Sequence, residues 1–272
     1  MSPRESTTEP RHSSPHPSTS IVAVLPVGGD ARIRAKAEHI ARELALPLIR
    51  EADAGYDLHL VVNADRLELR DTRPPAPGPI HVDFIKGAVG YSRRVNRFGL
   101  LFQAAGLRRG SNTSIIDATC GLGRDAFLLA DNGCVVTAIE RSPIVSALVR
   151  DGLDRAARDP ELCDWIPSRL RLTVGDARDI LKRLSPGASP DVVYLDPMFP
   201  PKTKSALVKK EMRILRHLVG DDPDAETLFE IARTVARGRV VVKRMRHAPP
   251  LAPNPTHVYR QKTTRYDVYM TR

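Results

Sequence analysis

Cysteine is scarce in this 272-residue chain: Cys120, Cys134 and Cys163 are odd in number and form no CxxC pair. That argues against a disulfide framework or a thiolate zinc site and suits a reducing compartment. Long apolar runs are missing too, and none approaches the ~18 residues that a membrane span requires. Aromatic residues make up only 5% of the chain. Acids are absent where bases gather. From Lys86 to Arg109 there are six basic residues (Lys86, Arg93, Arg94, Arg97, Arg108, Arg109) and no Asp or Glu. Between Lys202 and Arg216 six more, including Lys204, Lys209, Lys210 and Arg213, face the single Glu211, and 239–246 adds four. A basic run is usually a solvated face. Three such runs around one candidate site, in a chain of net charge +10, point to a phosphate backbone as partner.

What is present suits a soluble globular protein: 42% hydrophobic and 27% charged residues, enough for one large domain or two small ones. The first twenty residues are rich in Ser, Thr and Pro without an apolar stretch. They read as a disordered tail rather than a secretory signal, and Glu5 and Glu9 disfavour an organelle transit peptide. The expected location is the cytoplasm.

Ordered structure is expected from Ile21, as a short strand ended by Pro26 and a helix over 31–45 whose Ile33, Ala37, Ile40, Ala41 and Leu44 share a stripe. Two strands at 58–63 and 66–70 flank an Asn-Ala-Asp turn. The proline-rich stretch 74–79 then breaks the pattern. A small α/β N-terminal domain is therefore expected over 21–79, a basic connecting segment over 80–110 with a helix near 91–106, and a second domain over 111–272. In that second domain strands at 114–118, 135–139, 170–174, 192–195 and 239–242 alternate with helices near 124–131, 143–157, 177–184 and 224–237, and a hairpin at 256–260 and 265–270 closes it. Alternation of this kind predicts a doubly wound, mainly parallel Rossmann-like sheet.

In such sheets ligands bind beyond the carboxyl ends of the strands. Asp117, Glu140, Asp176 and Asp196 follow four consecutive strands there. Gly121 and Gly123 let the backbone turn tightly and approach a ligand. Arg124 and Asp125 open the next helix, whose free N–H groups can meet a carboxylate. Glu140 comes 17 residues after Gly123, where an acid takes the ribose hydroxyls of a nucleoside cofactor. Asp176 and Ala177 would face an adenine edge. A tight structural turn is the bland alternative, and a dinucleotide the competing ligand. Asp117, four residues before the first glycine, suits a cofactor with a cationic amino-acid end and disfavours a pyrophosphate. S-adenosylmethionine is therefore the preferred cofactor, on a class I methyltransferase fold.

The fourth strand stops on Asp196, Pro197, Met198 and Phe199. A base amino group is a poor nucleophile because its lone pair is delocalised into the ring. Asp196 and the Pro197 carbonyl could accept its two hydrogens, and Phe199 could stack on a base taken out of its helix. Direct displacement needs no metal, since orientation supplies most of the rate. The bland alternative is a strand end capped by Met198 and Phe199. None of the cysteines lies near this turn, so a carbon-methylating thiol nucleophile has no support.

Several segments resemble one family: DATCGLGRDAF at 117–127, YLDPMFP at 194–200, KSALVKKEMR at 204–213, VVVKR at 240–244, APPLA at 248–252 and VDF at 82–84. From about residue 55 onward the chain is similar to the bacterial ribosomal RNA small subunit methyltransferase J family. The resemblance implies S-adenosylmethionine-dependent methylation of the N2 amine of one guanosine in 16S ribosomal RNA. It also implies cofactor contacts at Arg124, Asp125, Glu140, Arg141, Asp176, Ala177 and Asp196. The chain departs from the family at 176 and 177, where small hydroxyl residues are usual. Competing readings are an amino-methyltransferase for adenine or a protein side chain, a nicotinamide-dependent reductase, and a non-catalytic RNA-binding assembly factor.

Overall fold

A computed structural model of the chain describes residues 21–74, 78–95, 99–108, 112–185, 187–198 and 210–271. The first sheet is built from β1 (Val22–Pro26), β2 (Leu58–Val62) and β3 (Leu67–Asp71), in that order, with helix α1 (Ala31–Glu43) crossing from β1 to its parallel neighbour β2. Asp30 caps α1 by accepting from the Arg32 N–H. Asn63 turns β2 into antiparallel β3: its side-chain oxygen accepts from the N–H groups of Asp65 (3.0 Å) and Arg66 (2.9 Å).

Two short helices follow, α2 (Gly87–Val95) and α3 (Leu100–Ala105), where the sequence predicts one over 91–106. Gly99, in extended conformation, caps the start of α3, and left-handed Gly106 ends it. The remaining elements are β4 (Ser114–Asp117), α4 (Arg124–Asp131), β5 (Val135–Glu140), α5 (Pro143–Ala156), α6 (Ile166–Arg169), β6 (Leu170–Val174), α7 (Ala177–Lys182), β7 (Val192–Leu195), α8 (Lys210–Val219), α9 (Ala225–Val235), β8 (Arg239–Met245), β9 (His257–Arg260) and β10 (Thr264–Met270). They form a seven-stranded sheet of order β6-β5-β4-β7-β8-β10-β9, in which β10 runs antiparallel between β8 and β9 and the other pairings are parallel. This is the doubly wound, mainly parallel Rossmann-like arrangement that the sequence predicts. The short helices α6 and α8 are additions to the elements the sequence predicts.

The strand period of two divides the core. Ile115, Val192, Tyr194 and Val241 enter one buried cluster, while Ile116, Val193, Leu195, Val240 and Val242 enter the other with Leu228 and Phe229 of α9. The first cluster continues without a break into Val24, Leu58, Leu60 and Leu69 of the N-terminal sheet. Asp151 of α5 stitches the two sheets together from a buried position. It accepts from the Leu67 N–H at 3.0 Å, Lys36 at 2.8 Å and Arg155 at 3.0 Å. A Cβ on Gly152 would stand 2.5 Å from Val82, so glycine is what allows the 80–84 segment to lie against α5.

Candidate active site

The chain winds outward from β4 through β5 to β6, then returns to start β7 on the other side of β4. A crevice is expected at that reversal, above β4 and β7. The turn after β4 and the turn after β7 meet there: the Asp196 N–H donates to Thr119 Oγ1 at 2.6 Å, and the Ala118 N–H to the Tyr194 carbonyl at 3.0 Å. Gly121 and Gly123 both have positive φ, +54° and +74°. A Cβ on Gly123 would lie 3.2 Å from Phe84 and 3.3 Å from Val149, whereas one on Gly121 would meet nothing within 4 Å. The inner glycine is needed for packing, and the outer one borders open space. Glu140 braces this loop, accepting from the Gly121 and Ser142 N–H groups at 2.8 Å each. Burial raises its pKa, partly offset by those two donors. A cavity of about 180 Å³ lies beside the loop, lined by His81, Asp83, Phe84, Lys86, Leu122 and Arg124 among others. It is smaller than the ~300 Å³ or more of a typical cofactor pocket, so it can take one end of such a ligand only.

Beneath the crevice is a buried network of charges. Lys243 of β8 bridges Asp125 Oδ2 at 2.7 Å and Asp196 Oδ2 at 2.9 Å, and the Tyr194 hydroxyl donates to the same Asp125 oxygen at 2.5 Å. Burial pushes the Asp125 pKa up, but Lys243 and the tyrosine hydrogen bond outweigh it and leave the group below its ordinary value. Burial works against the Lys243 ammonium too, yet the two carboxylates hold its pKa far above the usual lysine range. Asp196 is raised by withdrawal from solvent; Lys243 pulls it down and Asp125 pushes it up. Its side chain keeps 41% exposure, so it can still be reached from the crevice. Asp117 is only 1% exposed and accepts from the Thr119 N–H at 3.1 Å. Burial, then Asp125, push its pKa well above the usual carboxylate range. Cys120 is driven well above the ordinary thiol range by burial and the surrounding acids, which denies it a thiolate's reactivity.

A second cluster lies at the rim. The loop between α8 and α9 carries Asp222 and Asp224, which pair with Arg141 after β5; Asp224 also meets Arg178 of α7 at 3.2 Å. Asp222 in addition accepts from the Met198 N–H at 2.6 Å and donates its own N–H to the Met198 carbonyl at 2.9 Å, clamping the turn after Asp196 and Pro197. Asp176 caps α7, and both its oxygens are engaged by the Arg178 side chain; that hydrogen bonding draws its pKa down. An adenine amine at Asp176 would have to share an oxygen with Arg178. Ala177 is buried at the start of α7.

The turns after β4, β5 and β7 thus bring Asp117, Gly121, Gly123, Arg124, Asp125, Glu140 and Asp196 to one edge of the sheet, with Arg141 after β5 and Asp176 and Ala177 after β6 at its rim. Phe199, Arg97, Lys202, Lys204 and Lys209 lie outside the described residues, as do the side chains of Arg93, Arg94 and Lys210. Arg213 is exposed on α8. Sequence reasoning missed Lys243, Tyr194, Thr119, Asp222 and Asp224 as site residues. Lys243 carried a signal, since it follows buried Val241 on the inward face of β8, where a second apolar residue would be ordinary.

Comparison with known proteins agrees with this geometry. The family described as Putative SAM-dependent methyltransferase matches residues 40–271. The chain is 51% identical over 242 residues to the ribosomal RNA small subunit methyltransferase J of Thioalkalivibrio sulfidiphilus, covering 88% of this chain and 94% of that protein. Its Pseudomonas paraeruginosa counterpart is 46% identical over 239 residues, 86% of this chain and 89% of the other. A crystal structure of a SAM-dependent methyltransferase from Neisseria gonorrhoeae superposes with a TM-score of 0.70 at 33% identity, covering 91% of this chain and 95% of that one.

Proposed function

The chain belongs to the ribosomal RNA small subunit methyltransferase J family, and from that premise we propose that it methylates the exocyclic N2 amine of one guanosine in 16S ribosomal RNA, in the cytoplasm, with S-adenosylmethionine as donor. The observation that carries this reading is the half-exposed Asp196, held by Lys243 through one oxygen and tied by its own N–H to the glycine loop. An acceptor for an amine and a loop open to a nucleoside share one crevice.

The residues present fit that cofactor. Space is open outside Gly121, and the Glu140 carboxylate lies directly behind the loop, where a nucleoside's ribose hydroxyls would find an acceptor. Gly121, Gly123, Arg124, Asp125 and Glu140 would hold it from the loop side, with Arg141, Asp176 and Ala177 at the rim. When bound, S-adenosylmethionine would supply an electrophilic methyl group on a sulfonium, whose S–C bonding electrons would return to sulfur as the amine nitrogen takes the methyl. The protein's task is to aim that lone pair. Asp196 and the Pro197 carbonyl accept the two N–H hydrogens, which draws the nitrogen toward tetrahedral geometry, and in this reading Asp196 receives the proton the methylated amine must lose. Phe199 stacks on the base, a contact of about 1–3 kcal/mol. Arg93, Arg94, Arg97, Lys202, Lys204, Lys209, Lys210 and Arg213 meet the RNA backbone.

The test is transfer from tritiated S-adenosylmethionine to 16S ribosomal RNA, small subunits, DNA and a protein pool, followed by mapping of the modified nucleotide. Label on the N2 of a single 16S guanosine is the expected result. Label confined to DNA or protein, or no binding of the cofactor by calorimetry, would reject the reading.

A further inference from the structure

Lys243 has no part in the reaction as described so far. Strand periodicity gives no reason for a charge at this position. Val241, two residues earlier on the same face, is fully buried, and the lysine's cross-strand partner on β10 is the buried Tyr266. A lysine in such surroundings is costly unless its ammonium is paired. It is paired twice, to an acid from α4 and to an acid from the turn after β7, and its own side chain is 24% exposed. The groups that face it or its partners are Asp117 from β4, Asp125 from α4, Tyr194 from β7, Asp196 and Tyr266, with Asp222 and Arg244 acting on Asp196 and Arg124 on Asp125. Of these, Lys243 is the cation that touches Asp196.

We propose that Lys243 is the positioning residue of the methyl-accepting step: it occupies Oδ2 of Asp196, leaves Oδ1 for the amine, and keeps that carboxylate an acceptor. The inference rests on the role given to Asp196 above. Its logic is one of donors and acceptors. An amine that must present its lone pair to a methyl group needs acceptors for its hydrogens, and a protonated carboxyl offers one acceptor fewer and a competing donor. Asp125 and Asp222, the acids nearest to it, favour a proton on Asp196; the ammonium opposes them at 2.9 Å. Asp125, which accepts from Tyr194, fixes the lysine in turn, so the helix that follows the glycine loop and the amine-accepting turn are linked through one ammonium.

The bland alternative is that Lys243 staples β8 to α4 and has no bearing on the reaction. Lys243→Met and Lys243→Arg separate the two, with Lys243→Gln as the uncharged variant should the methionine protein not fold. Two measurements are needed: single-turnover methyl transfer across pH, and a carbon-13 titration of the Asp196 carboxyl in the cofactor-free protein. In Lys243→Met the maximal rate should fall about a hundredfold, the lower end of what a positioned proton acceptor contributes. Cofactor affinity should fall far less than the rate, since Glu140 and the glycine loop keep their contacts. Loss of the cation raises the Asp196 pKa, so the acid limb of the rate profile and the carbon-13 midpoint should both move to higher pH. Lys243→Arg, which keeps the charge, should hold both near their original positions even where its rate is lower. An unmoved Asp196 titration in the folded uncharged variant would overturn the proposal. So would equal rate losses in the methionine and arginine proteins with an unshifted acid limb. If the titration moves but wild-type protein does not methylate 16S ribosomal RNA, the link between Lys243 and Asp196 stands and the proposed substrate falls.

Discussion

Two groups of acids lie at the same edge of one sheet and differ in how their charge is met. At the rim, Asp176, Asp222 and Asp224 face Arg141 and Arg178; the Asp176 carboxyl lies below its ordinary range because arginine hydrogen bonds outweigh a modest loss of solvent. In the crevice, Asp117, Asp125 and Asp196 crowd around Lys243, and both Asp117 and Asp196 are pushed up. The residue types match; burial and the supply of cations differ. The rim is a clasp of ion pairs that holds loops in place, worth little per pair because water screens it. Among the described residues the inner group has three carboxyls around one ammonium, so an incoming N–H group meets acceptors there.

Substitutions that act on one group and spare the other sharpen that contrast. The largest effect is expected from Asp196→Ala. Removing the amine acceptor should lower methyl transfer by at least about 10²-fold, while cofactor binding is weakened but measurable. Near-normal turnover in that protein would erase the distinction between the groups. Glu140→Ala is expected next. A hydrogen bond to a charged group contributes about 1.5–3 kcal/mol, or roughly 10- to 100-fold in the dissociation constant of S-adenosylmethionine. An unchanged constant by calorimetry would leave Glu140 only its bracing of Gly121.

The sheet was largely legible because strand and helix periods differ and the acids recur at strand ends. Helix α4 lies over 124–131 as expected, and β6 and β7 lie over 170–174 and 192–195. The single helix predicted near 91–106 is instead two, since Gly99 and Gly106 act at the ends of α3 and neither position breaks the apolar pattern loudly. Within the site, the glycine bend and Asp196 could be read because their neighbours are local in sequence. The Lys243 bridge could not: its partners lie 118 residues away at Asp125 and in the turn after β7. Nor could the capture of Asp176 by Arg178, for an i, i+2 pair at a helix start carries no hydrophobic signature. Long-range ion pairs depend on which strands end up adjacent, and local pattern does not encode adjacency.

A smaller effect is expected from Asp222→Ala at the rim. It removes the acceptor for the Met198 N–H and for Arg141, loosening the turn that carries Asp196 and Pro197. Turnover should fall about tenfold, less than the ~10²-fold that a 1 Å misplacement costs, with cofactor affinity little changed. A loss of thermal stability with full single-turnover rate would make the clasp purely structural.

The smallest expected effect concerns stability alone and tests whether the inner group is protonated where burial demands it. The folded-state pKa of Asp117 lies above its unfolded value of about 3.9. Between those two pH values the folded chain keeps a proton that the unfolded chain has released. Stability therefore falls as pH rises through that window. Asp117→Asn removes the titration and keeps an oxygen for the Thr119 N–H. Its melting temperature relative to wild type should rise as the buffer goes from pH 4 to pH 8, by about 2–4 °C for each kcal/mol regained. A difference that stays constant with pH would mean that Asp117 is ionised in the fold, and that the crevice carries more negative charge than its burial allows.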